Sequence, residues 1–184
     1  MAGHSHWAGI KRQKEVADKK RGAIFSKLLI AITAAAKNEP NPDFNPRLRT
    51  AVEKARESKV PAENIERALK RAREAGDAIE ELIFEAYGPG GIAILIEAAT
   101  DSRNRTVAEV KKILSDHEGK WAESGSVRWA FESLPAEASA KAGGARWHAK
   151  FPQAVPDENA EALAKLVEAL ENHDDVQSVT TNAE

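Results

Sequence analysis

The apolar residues of this chain keep two rhythms, and the change falls near Gly76. Before it, apolar side chains recur every three or four positions, the spacing of one helix face; after it they alternate or run together, as strands do. The predicted fold class is therefore α+β, with an N-terminal helical bundle (residues 1–76) followed by an α/β layer domain (residues 77–184). Charge changes at the same point. Residues 1–75 hold 17 basic and 9 acidic side chains, net +8, whereas residues 76–184 hold 10 and 20, net -10, although the whole chain is only -2. The 184 residues suffice for one large or two small domains with a real core.

Within the first half, Phe25, Leu28, Leu29 and Ile32 fall at i, i+3, i+4 and i+7 and predict a helix over about 22–37. Pro40 and Pro42 end it, because proline cannot continue a helix. A further helix is predicted from Pro46 to Ser58, with Leu48, Val52 and Ala55 inward. Another starts at Pro61 as its first residue, turns Ile65, Leu69 and Ala72 inward and stops at Gly76. The segment before these, about Trp7 to Arg21, has little apolar surface to bury. It carries Lys11, Arg12, Lys14, Lys19, Lys20 and Arg21, and Lys27 follows, against only Glu15 and Asp18. Such a stretch is either a solvated helix or an arm that settles on a partner.

The second half predicts strands at 81–87 and 91–99 joined by the turn Gly88-Pro89-Gly90-Gly91. The unbroken run Ile92 to Ile96 marks a strand covered on both faces. A helix over about 105–117 follows, capped by Asn104 or Thr106, with Val107, Val110, Ile113 and Leu114 inward and Gly119 as its stop. Ser126 to Glu132 alternates as a strand, and residues 133–145 are a small-residue linker. The chain then reads as a strand (145–151), a helix (about 157–171, with Leu163, Leu166, Val167 and Leu170 inward) and a strand (176–180). The predicted order is ββαββαβ.

Few features support catalysis. There is no cysteine, which removes thiol chemistry, disulfides and cysteine-based metal sites and is compatible with a reducing, cytoplasmic setting. His4 and His6 lack the third ligand and fixed geometry of a catalytic zinc site. Ser124-Gly125-Ser126 is no nucleophile elbow, and Gly88 to Gly91 matches neither phosphate-binding glycine pattern. No catalytic residue, metal site or cofactor is expected. The longest apolar run, Leu28 to Ala36, is about half the ~20 residues of a membrane span, and the polar start has no secretory apolar core.

Polyanion binding fits better. Lysine and arginine on helices neutralise phosphates and release counterions, and Trp7 offers a face for an unpaired base. The candidate contacts are Trp7, Lys11, Arg12, Lys14, Lys19, Lys20, Arg21 and Lys27. Secondary candidates are Arg103, Asn104 and Arg105, where a helix start and two guanidiniums would suit a phosphate; the competing reading is a plain strand-to-helix cap, and Asp101 opposes an anion. Spacing alone separates neither DNA from RNA nor either from solvated helix faces.

Several segments together carry a resemblance. Ala2-Gly3-His4-Ser5, Trp7, Ile10-Lys11 and Asp18 to Lys27 (DKKRGAIFSK) resemble the opening of the YebC/PmpR family, AGHSKWANIKHRK followed by DAKRGKIFTKL. Asn64 to Ala68, Tyr87 to Gly91, Asp101 to Val110 (DSRNRTVAEV), Glu123 to Phe131 (ESGSVRWAF) and Asp174 to Val179 are similar to later family motifs, in the same order. The resemblance implies a helical domain followed by α+β domains, no catalysis and no cofactor. It implies a DNA-binding transcriptional regulator or, as in the related mitochondrial translational activator of cytochrome oxidase subunit one, a factor acting on translation. Bacterial members are also linked to relief of ribosome stalling at proline-rich stretches. Two departures stand out: a linker at 133–145 replaces the family's inserted α/β domain, and His6 and Gly9 replace a lysine and an asparagine.

The expected protein is a monomeric, non-enzymatic regulator of gene expression that binds nucleic acid through residues 1–76 and has no membrane partner. The nucleic acid is DNA, or ribosomal or transfer RNA met on the ribosome. A protein-binding adaptor using the acidic second half is the remaining alternative.

Overall fold

The computed structural model describes residues 21–37, 39–74, 79–134 and 146–184. Among the described residues three helices come first: α1 (described over 21–36), α2 (Pro46–Glu57) and α3 (Ala62–Glu74). Asn45 builds the turn between α1 and α2. Its Oδ1 caps α2 by accepting the Leu48 N–H at 3.0 Å, while its Nδ2 donates to the carbonyls of Ala35 and Glu39, both at 2.7 Å. Pro46 then occupies the first helical position, where its missing N–H costs nothing. Ile32, Ala36, Leu48, Val52, Ala55, Ile65, Ala68 and Ala72 close one apolar cluster, the faces predicted from spacing. Leu69 is only partly buried at its edge. Helix α3 begins at Ala62 rather than Pro61, whose carbonyl accepts from Asn64 and Ile65, and Gly76 lies outside the described residues.

The rest is built on a four-stranded antiparallel sheet in the order β3-β1-β2-β6, from β1 (Glu80–Tyr87), β2 (Ala93–Thr100), β3 (Lys120–Ala122) and β6 (Val176–Thr181). Helices α4 (Arg103–Asp116) and α5 (Asp157–Glu171) cover one face. The other carries a two-stranded ladder, β4 (Phe131–Ser133) with β5 (Trp147–Ala149). The apolar run that leads into β2 divides accordingly: Ile92, Ile94 and Ile96 join the helix-side core, and Ala93 and Leu95 the core under the ladder. A strand buried on both faces has no polar side, which is why its sequence does not alternate.

The α+β class and helices-then-sheet order are as predicted, with local differences. Among the described residues the order is ββαβββαβ, because short β3 adds a strand at the sheet edge. Residues 126–130 are not extended. Their N–H groups at Val127 and Arg128 go to the Glu85 carboxylate instead of a ladder, a 3-10 turn covers Arg128–Ala130, and only Phe131–Ser133 pairs. Helix α4 begins at Arg103 after Ser102, so Asn104 and Thr106 lie inside its first turns rather than capping it. At its far end Glu118 (φ 60°), not Gly119, takes the left-handed position; the Gly119 N–H donates to Leu114 O at 2.7 Å, and a Cβ there would meet Leu114 Cδ2 at 2.9 Å. Among the described residues no helix is long and apolar enough to cross a membrane.

Candidate nucleic-acid interface

Six of the predicted contact residues, Trp7, Lys11, Arg12, Lys14, Lys19 and Lys20, lie outside the described residues. Arg21 is exposed on α1. Lys27 is half-buried, and its Nζ donates at 2.6 Å to the carbonyl of Glu171, the last residue of α5. Burial lowers the Lys27 ammonium from its ordinary range, against the opposing pull of Glu171 and Asp174. A cation on an orphan helix-end carbonyl is a structural contact, joining the helical part to the sheet part. A second such joint is the two-pronged pair of Arg47 on α2 with Glu81 on β1.

The helical part also presents cations that the candidate set did not contain. Arg67, Lys70 and Arg71 are exposed on α3 and, with Glu74, line a shallow depression. Their i, i+3, i+4 spacing, legible in the sequence, places them on one helix face. Their ion pairs are short-range and exposed: Arg67 with Glu63 at 2.8 Å and Lys70 with Glu74 at 3.8 Å. Such pairs are worth a few tenths of a kcal/mol and yield readily to a phosphate.

The start of α4 is arranged differently. Arg103 reaches Glu80 at 2.7 Å, and Arg105 is held by Asp101 at 3.1 Å and Asp175 at 2.9 Å. Asn104 is exposed. The buried Asp175 carboxylate also accepts from Thr106 Oγ1 at 2.6 Å and Thr100 Oγ1 at 3.0 Å. Burial by itself would raise the Asp175 carboxyl, but the hydrogen bonds from Thr106, Arg105 and Thr100 and the guanidinium charge outweigh it and hold the carboxyl below its ordinary range. This node ties the β2–α4 connection to the start of β6, and Arg103 and Arg105 spend their charge within it and on Glu80.

Glu109, His173 and Asp175 have ligand atoms within 4.8 Å of one another. His173 Nδ1 accepts the Asp175 N–H at 3.1 Å, which leaves the proton on Nε2, 2.9 Å from Glu109. Both ring nitrogens are thus engaged, and the imidazole has no lone pair left for a cation.

Two family models match nearly the whole chain: the TACO1/YebC N-terminal domain over residues 5–75, and the TACO1/YebC second and third domain over 79–136 and 133–183. The chain belongs to the TACO1/YebC family. Among its TACO1/YebC relatives is a "probable transcriptional regulatory protein" of Thermus thermophilus, 41% identical over 99% of this chain and 96% of that one. That alignment runs over 234 positions against 184 residues here, so the relative holds residues with no counterpart in this chain. A protein of the same description from Chloroherpeton thalassium is 55% identical over 72% of this chain and 54% of its own length, so that match spans about half of the relative. A crystal structure of a conserved hypothetical protein from Aquifex aeolicus superposes with a TM-score of 0.79 at 32% identity, covering 91% of each chain.

Proposed function

We propose that this TACO1/YebC chain is a non-enzymatic, DNA-binding regulator of gene expression that works in the cytoplasm as a monomer and without a cofactor. The carrying observation is the partition of charge: net +8 in residues 1–75 against -10 in the remainder. Residues 1–76 form the contact domain in this reading, and residues 77–184 orient it. The arm residues Lys11, Arg12, Lys14, Lys19, Lys20 and Arg21 make the first contacts with phosphates, Trp7 offers its ring to a base, and Arg67, Lys70 and Arg71 extend the surface along α3. A phosphate at Arg103, Asn104 and Arg105 has to displace Glu80 and Asp101, so that loop is secondary. The relatives' shared description as probable transcriptional regulators supports a regulatory role.

A second reading, engagement of ribosomal or transfer RNA during elongation, is favoured by the short basic arm with Trp7 and by the lack of a recognition-helix signature. One competition separates the two. Ribosomes, duplex DNA and structured RNA are offered together at physiological salt. Sequence-specific protection of duplex DNA supports the first reading; retention on ribosomes with no promoter preference overturns it in favour of the second.

A further inference from the structure

The acidic part of the molecule carries an aromatic surface that neither the fold nor the basic contacts explain. Trp129 is 65% exposed, Phe151 49% and Tyr87 37%. They are gathered around one backbone carbonyl. Ser126 O accepts the Trp129 indole N–H at 2.8 Å and the Tyr87 hydroxyl at 3.1 Å, and the Trp129 ring lies 5.7 Å from that of Phe151. The loop beneath is fixed from inside by the buried carboxylate of Glu85, which accepts the N–H groups of Gly125 at 2.7 Å, Val127 at 2.7 Å and Arg128 at 3.0 Å. A carboxylate is thus buried in order to hold a turn whose most prominent side chain faces water. Large apolar rings held outward in this way mark a binding surface.

Its surroundings indicate the partner. Lys150 Nζ sits 5.4 Å from the centre of the Phe151 ring, and Lys120 pairs with Tyr87 across β3 and β1, so its side chain shares the Tyr87 face. Of the nearby carboxylates, Glu123 is exposed and Glu132 is turned to His148 at 3.9 Å. Rings flanked by Lys120 and Lys150 suit a partner that is both flat and anionic. The β4–β5 register puts Leu134 and Arg146 at one end of the ladder, while Trp129 and Phe151 lie beyond its opposite end, where Lys150 and Phe151 donate to Ala130 O.

We propose that the Tyr87, Trp129 and Phe151 surface is a stacking platform for unpaired nucleic-acid bases, with Lys120 and Lys150 placed for the adjoining phosphates. The proposal rests on the nucleic-acid reading above and adds a second, single-strand-selective contact remote in sequence from the basic arm. Stacking on an aromatic ring is tolerant of base identity and is lost on truncation to alanine.

The test uses the full chain and two labelled RNA probes, a short unstructured single strand and a duplex of equal length, titrated by fluorescence anisotropy. Trp129→Ala and Phe151→Ala are each expected to weaken the single strand roughly tenfold and leave the duplex within about twofold, with Trp129→Phe retaining most of the affinity. Because Trp129 is largely exposed, its variants should keep the wild-type circular dichroism and melting temperature. A Lys150→Glu variant, which leaves the rings intact, should also weaken the single strand. Wild-type affinity for the single strand in both alanine variants, alongside its loss when the arm lysines are neutralised, overturns the platform and leaves the nucleic-acid reading standing. Failure of the wild type to bind either probe overturns both. Loss of a protein contact from Trp129→Ala with RNA affinity intact assigns the surface to a protein and likewise overturns the proposal.

Discussion

The helical part and the sheet part use charged side chains in different ways. In the sheet part, buried carboxylates are built into the fold across long sequence separations: Asp175 gathers Thr100, Arg105 and Thr106, and Glu85 holds the loop at 125–128. On α3, by contrast, Arg67 pairs with Glu63 and Lys70 with Glu74, both i,i+4 pairs on an exposed face. Charges fixed in buried networks are costly to disturb and poorly available to a ligand. Charges in exposed local pairs cost little to redirect. The difference separates residues that hold the molecule together from residues that can serve the proposed polyanion contact, even where their sequence motifs look equally basic.

The largest expected effect lies in the sheet part. Asp175→Ala leaves the hydroxyls of Thr100 and Thr106 without their acceptor and Arg105 without its buried partner, a loss of about 3 kcal/mol and on the order of 10 °C in Tm. Nucleic-acid affinity at temperatures where the variant is folded should not change. The same group sets a pH dependence. Its carboxyl is held lower in the folded chain than in the unfolded one, so the stabilisation is complete above the ordinary carboxylate range near ~3.9 and is lost as pH falls through the lowered folded value. Urea melts across this acid range should show a shallower loss of stability in Asp175→Ala than in wild type. If Asp175→Ala instead weakened binding while keeping its Tm, the contrast between the two regions would break.

Smaller effects sharpen the contrast. Replacing Arg67, Lys70 and Arg71 together with glutamine should lower duplex affinity roughly tenfold and reduce the salt slope by about 2 to 3, while shifting Tm by little, since these side chains are exposed. Replacing Arg105, which donates to the buried Asp175 carboxylate, should instead lower Tm and leave duplex affinity little changed. Smallest are two changes at helix ends, one in each region. Lys59 (φ 61°) after α2 and Glu118 (φ 60°) after α4 both hold left-handed backbone that glycine adopts freely. Lys59→Gly and Glu118→Gly should each gain between a few tenths and about 1 kcal/mol in chemical denaturation, without effect on binding.

Much of this was legible because it is local. The spacing of Leu48, Val52 and Ala55 and the unbroken run from Ile92 to Ile96 state which faces are buried, and they are buried as expected. Hidden were the contacts between residues far apart in the chain. Ser126 to Glu132 alternates like a strand, yet a carboxylate some 40 positions earlier takes the N–H groups of Val127 and Arg128 and makes its first part a turn. Arg103 and Arg105 read as free cations until Glu80 and Asp175 are placed beside them. Lys27 belongs by sequence to the basic arm, but α5, whose final carbonyl it holds, lies more than a hundred residues away. The aromatic surface was hidden for the same reason, since Tyr87, Trp129 and Phe151 come from three separate segments.

The measurement that bears most directly on this division of labour is the salt dependence of binding to duplex DNA and structured RNA, compared between wild type and a variant with Lys11, Arg12, Lys19, Lys20 and Arg21 all changed to glutamine. The predicted result is a steep wild-type slope that falls by about 3 to 5 in the variant, with a large loss of affinity and an unchanged Tm. An unchanged slope and affinity in that variant would contradict the assignment of the basic N-terminal region as the nucleic-acid surface.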